Sequence, residues 1–193
     1  MSEIERRTMT GVEVRTEEGK PTKIVGYAAV FNSLSEDMGF REMVMPGAFD
    51  RALKEKHDVR ALVDHDPARI LGRTKAGTLT LTVDKKGLRA EIEPPDTQAA
   101  RDAVTSVKRG DLDGMSFAFR TLTDEWRMQD GEAIRELIDL ELVDVSVVAY
   151  PAYPATTVSA RALDRAKETA APPAQAPEVP LEVYAARHRL SGL

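Results

Sequence analysis

The sequence predicts a mostly β protein with a few helices, an α+β fold, and three observations point there. Short segments alternate apolar and polar residues at a period of two, as half-buried strands do. Helical apolar spacing is confined to two stretches between those segments. Strand–helix alternation of the nucleotide-binding kind is missing, and so is a glycine-rich phosphate loop. A barrel and a sandwich with helical insertions both satisfy this pattern.

The elements follow in chain order. A strand is expected within 3–15 and another over 24–31. Pro46 opens the first helix, where a missing N–H costs little, and Phe49, Ala52 and Leu53 give its apolar stripe. A strand over 59–64 comes next. Leu79, Leu81 and Val83 alternate with threonines, the chain turns at 84–87, and Leu88, Ala90 and Ile92 resume the alternation as a hairpin. The second helix has a cap in Asp96 or Thr97 and an apolar face of Ala100, Ala103, Val104 and Val107. Lys108 and Arg109 suit its C-terminal dipole, and Gly110 stops it. Strands over 114–121 and 137–148 complete the set.

The chain has 193 residues, enough for one folded unit at 1–160, followed by an Ala/Pro-rich linker and C-terminal tail at 161–193. It has no cysteine, so disulfides, thiol catalysis and thiolate-bound zinc are excluded. With 27 basic and 32 acidic residues the net charge is -5, which argues against binding duplex nucleic acid. The N-terminus lacks the apolar run of a signal peptide, and no segment is long and apolar enough to span a membrane. A soluble, cytoplasmic protein with no nucleic-acid or membrane partner is expected. Three scattered histidines without ligand spacing make a poor metal set. His57 follows a charged helix, and His188 lies in the tail.

Three residues stand out against this frame. His65 continues the face of Val59, Ala61 and Val63, where an imidazole is sheltered yet reachable, as a general base requires. From spacing alone, a histidine that merely caps the strand by bonding to turn backbone is the favoured reading. Ser116 lies opposite the face of Met115, Phe117 and Phe119, and Gly114 on its own face leaves room for a substrate backbone. Such a serine is a nucleophile only with a base beside it; otherwise it is a small polar residue on a strand. Asp144 shares the apolar phase of Ile138, Leu140 and Leu142 if alternation is strict. A bulge at Leu142-Val143 would flip it outward instead. An inward Asp144 needs a partner such as a histidine N–H, and Glu141 and Asp139 compete on the other phase.

Five segments together resemble the prohead (capsid-maturation) serine protease family of tailed phages and prophages. They are GYAAVFN (26–32), REMVMPGAFDRAL (41–53), ALVDHDPARILGRT (61–74), RGDLDGMSFAF (109–119) and LELVDVSVVAYPAYPAT (140–156). The resemblance runs from about Ile24 to Ser159. It implies a small β-barrel surrounded by a few helices, like that of the herpesvirus assembly proteases. It also implies a serine endopeptidase with catalytic His65 and Ser116. The family's Glu-Val-Ser reads Asp144-Val145-Ser146 here, so Asp144 is the implied acid, with Glu141 in reserve. No metal or cofactor is implied. An oxyanion hole is required, from strand amides or an arginine such as Arg73 or Arg120. The implied substrates are the major capsid protein, the scaffold protein and the chain itself, inside the immature capsid in the host bacterial cytoplasm. Self-association is left open. The competing reading is a non-enzymatic assembly or scaffold component on the same fold.

Overall fold

Alternating apolar residues do become strands in the computed structural model, which describes residues 3–149. Their order is β1 (Glu5–Thr10), β2 (Val12–Arg15), β3 (Lys23–Val30), β4 (Arg41–Val44), α1 (Asp50–Lys54), β5 (Arg60–Val63), β6 (Asp66–Arg73), β7 (Leu79–Val83), β8 (Gly87–Ile92), α2 (Gln98–Arg109), β9 (Gly114–Gln129) and β10 (Glu132–Val148). The mostly β expectation with few helices holds. The tail and the final strand-to-tail segment fall outside the described residues.

The strands form two sheets. One is ordered β1-β9-β10-β5-β6, with β4 also pairing along β10; the other is β2-β3-β8-β7. Among the described strands neither sheet closes on itself, so the barrel is replaced by two open sheets. The strand expected within 3–15 is broken at Gly11, whose φ is 102°. There the chain leaves β1 in one sheet and enters β2 in the other, pinned by the Gly11 N–H to the Asp113 carbonyl at 2.9 Å. One core lies between the sheets. Ile24, Leu88, Ala90 and Ile92 come from one side and Phe117, Phe119, Leu140 and Val145 from the other.

Local signals place α2 well. The Thr97 hydroxyl accepts from the Ala100 N–H at 3.3 Å, and Gly110 takes the left-handed C-cap at φ 82°. The first helix is shorter than expected. Pro46 belongs to a turn ahead of it, and Phe49 rather than Pro46 stands at its entrance. Strands β9 and β10 run well past their expected ends and pair with each other as one long antiparallel arm.

That arm is anchored by a buried ion network. Arg135 donates to Glu5 at 2.6 Å, Asp124 at 2.6 Å and Glu42 at 3.1 Å, and to the Thr121 hydroxyl at 2.9 Å. Arg7 joins the same two glutamates, at 2.9 Å to Glu5 and 2.6 Å to Glu42. Burial pushes the Glu5 carboxyl upward, but the bonds from Arg135, Arg7 and Thr121 outweigh it and hold the group below its ordinary range. Among the described residues no buried side-chain nitrogen or oxygen lacks a hydrogen-bond partner.

Candidate active site

The site is built from the register of three adjacent strands. On the sheet face opposite the core, Ser116 of β9 pairs directly with Thr8 of β1 and with Ser146 of β10. Ser146 in turn lies beside Leu62 of β5. Asp144 is opposite Ala118, one step along the same face. Because β9 is laddered on both flanks, the Ser116 backbone is held rigidly in the middle of the sheet.

The question left open at Leu142-Val143 has a two-part answer. A register shift between Leu142 and Asp144 moves the core-facing residues from Leu140 and Leu142 to Val145 and Val147. The bulge therefore exists, and Asp144 does leave the core face. It is nonetheless buried, at 8% exposure, because this second face is covered too. A similar shift at Ile138 replaces it by Leu137 in the core row.

His65 does not continue the strand, as its spacing suggests. The strand ends at Val63, and Asp64 and His65 form a two-residue turn between β5 and β6, with φ of 50° and 57°. Two positive φ values are the hallmark of the tight hairpin turns that match strand twist. Aspartate and histidine tolerate that region better than most residues with a Cβ. The turn sends the imidazole back over the sheet, across β10 and toward β9. The Asp64 N–H donates to the Val147 carbonyl at 3.0 Å, tying the turn to β10.

His65, Ser116 and Asp144 meet there. His65 Nδ1 lies 2.6 Å from Asp144 Oδ1, and Nε2 lies 2.8 Å from Ser116 Oγ. An ionised carboxylate only accepts, so the proton belongs on Nδ1, and Nε2 accepts from the serine hydroxyl. The ring bonds to these two side chains rather than to turn backbone. Ser116 is 1% exposed, and the arrangement can take up a hydroxyl proton as the oxygen attacks.

The remaining candidates are engaged elsewhere. Glu141 accepts from Arg120 at 3.2 Å, which occupies both the reserve acid and one oxyanion candidate. Arg73 is bound to Asp58 at 2.7 Å, and Asp139 to Arg51 at 2.9 Å. His57 sits 3.2 Å from Glu55. Gly114 does not open space beside Ser116, for a Cβ there would lie 3.1 Å from Val148 Cγ2 and 3.3 Å from Thr8 Cγ2. A cleft of about 610 Å³ includes Leu53, Lys56, His57 and Leu142 in its lining; another, of about 360 Å³, runs along Thr8–Thr10; neither is lined by the three residues.

Sequence reasoning missed one polar member of this cluster. The hydroxyl of Ser146, itself fully buried, donates to Asp144 Oδ1 at 3.0 Å and accepts from the His65 main-chain N–H at 3.2 Å. Its signals in the sequence were that it shares a phase with Asp144 and that it stands where the family's Glu-Val-Ser has its serine.

Comparison with known proteins gives this geometry its context. The bacteriophage T4 capsid assembly protease is similar in structure with a TM-score of 0.47 and 12% sequence identity, over 75% of this chain and 98% of that one. No curated protein matches the sequence. The model of the caudovirus prohead serine protease family matches residues 10–170, most of the chain. This chain belongs to the caudovirus prohead serine proteases.

Proposed function

We propose that Ser116 is the nucleophile, His65 the general base and Asp144 the acid that orients it, in cleaving phage assembly proteins. The observation that carries this reading is the continuous chain of hydrogen bonds from Asp144 through His65 to Ser116, at 2.6 and 2.8 Å. Ser116 Oγ attacks the scissile carbonyl while its proton passes to His65 Nε2. The collapsing tetrahedral species then expels the amine, which takes that proton, and leaves an acyl group on Ser116. Water attacks the acyl carbonyl by the same route, giving a proton to His65, which passes it to Ser116 Oγ as the acyl–oxygen bond breaks. Asp144, bonded to Nδ1, keeps Nε2 facing the serine and stabilises the charged ring.

The substrates in this reading are the major capsid protein, the scaffold protein, or both, met inside the immature capsid. Residues 1–160 form the protease unit. The Ala/Pro-rich segment after it, outside the described residues, is a site of self-cleavage or of docking. The likeness of fold to the herpesvirus assembly proteases is part of the same proposal.

Co-expression with the capsid protein of the same phage tests it, with mass spectrometry locating new chain ends. Ser116→Ala and His65→Ala are each expected to abolish cleavage, a loss on the order of 10⁶-fold in kcat for triads of this kind. Particles should still assemble. Cleavage that continues in both variants would sink the assignment.

A further inference from the structure

We infer that Ser146 is a positioning residue that sets both the acceptor and the backbone of His65; this rests on the triad proposed above. A hydroxyl has one proton to donate and two lone pairs to accept with. At Ser146 all three face the same pair of residues. The proton goes to Asp144 Oδ1 at 3.0 Å, and the oxygen takes the His65 main-chain N–H at 3.2 Å while lying 3.3 Å from Nδ1. None of these bonds serves the backbone of its own strand, which a merely satisfied strand serine would commonly do.

Each contact has a mechanical effect. Asp144 Oδ1 receives two donors, the imidazole at 2.6 Å and the Ser146 hydroxyl at 3.0 Å, so rotation of the carboxylate is blocked. The second contact acts on the turn. His65 holds φ at 57°, a region that side chains with a Cβ enter at a cost, and the bond from its N–H to Ser146 Oγ clamps that conformation to β10. The same side chain thus fixes where the ring begins and where its Nδ1 points. It stands beside Ser116 in the strand register, yet its oxygen is committed to Asp144 and His65, so it does not touch substrate.

The test uses the full chain and a fluorophosphonate probe that acylates the activated serine. Ser146→Ala is expected to lower the maximal labelling rate about 10–100-fold, by analogy with the loss when the outer partners of a metal-bound histidine are removed. The concentration for half-maximal labelling should not change, because the probe's binding surface is intact. Ser146→Thr keeps the hydroxyl on a strand-compatible frame and should restore the rate. In an Asp144→Ala background, Ser146→Ala should cost less than in the wild type, since the part of its effect that runs through that carboxylate is already lost and only the clamp on the His65 N–H remains.

Three results would overturn the inference. One is full labelling by Ser146→Ala while Ser116→Ala and His65→Ala are inert. Another is an undiminished loss in the Asp144→Ala background. The last is a lowered thermal midpoint with an unchanged rate in the folded fraction, which assigns Ser146 to the fold alone. If Ser146→Ala does not fold, Ser146→Cys, of similar volume but a weak donor, is compared in the same way. Should His65→Ala and Ser116→Ala both keep cleaving, the triad itself fails instead.

Discussion

The same two strands, β9 and β10, carry two buried polar clusters with opposite logic. Around Arg135 every charge is answered: two arginines face Glu5, Glu42 and Asp124 in a closed set with no free end. Around His65 the bonds form an open line that runs from Asp144 through the ring and ends at a hydroxyl. Closure makes a cluster hold things together, because no member can change charge without stranding another. An open end makes a cluster able to pass a proton along. Neither arrangement can be told from burial alone, since Arg135 and Asp144 are 5% and 8% exposed.

If that contrast is right, damage to each cluster should appear in a different measurement. The largest effect is expected from Asp144→Asn, which keeps the shape but favours the wrong ring tautomer. Cleavage should fall about 10⁴-fold with little change in thermal midpoint, whereas Glu141→Gln, acting on an acid bound to Arg120, should leave cleavage unaltered. A large fall in midpoint for Asp144→Asn would erase the distinction. Arg135→Ala should do the reverse. It leaves Glu5 and Glu42 to Arg7 alone and takes the cation from Asp124, and should destabilise the fold by about 3–5 kcal/mol in urea titration. The fraction still folded should label with fluorophosphonate normally, and selective loss of labelling would break the comparison from the other side.

The smallest effect concerns acid. Glu5 is held below its reference value of 4.5, so its contribution to stability is present above that value and lost as pH falls through the depressed one. Urea midpoints followed downward from pH 5 should decline less steeply in Glu5→Gln than in the wild type. Equal slopes would mean that Glu5 gains nothing from Arg135 on folding.

What the sequence shows clearly is what neighbouring residues decide. The β7–β8 hairpin and the capped helix α2 follow from alternation, a turn and terminal residues within a few positions of one another. Strands β4 and β6 are invisible to that reading. REMV is too short and charged for a period to emerge, and in DPARILGR the exposed Ile70 breaks one; partners on β10 and β5 create both strands. Asp144 shows the limit most sharply. The sequence offered an inward residue or a bulge with a solvated one, on the assumption that a sheet has one dry face. The bulge is present and the outer face is buried as well, with the His65 ring bonded to Asp144 there. Ser116 and His65 stood out as residue types, but their meeting depends on two φ values that no spacing reveals. Arg135 and Glu5 are 130 positions apart, and nothing local connects them.

Relatives of such a chain can change composition around Asp64 and His65 more freely than length. Glycine or asparagine in place of Asp64 keeps the tight turn, so substitution there is gentle inheritance. One inserted residue is a different event: it rotates the point from which the imidazole departs while leaving both sheets as they were. An insertion in the loop from β3 to β4 is expected to leave the ring where it is, and an insertion in this turn to displace it. This two-residue turn is thus the loop at the site where an insertion is least forgiven.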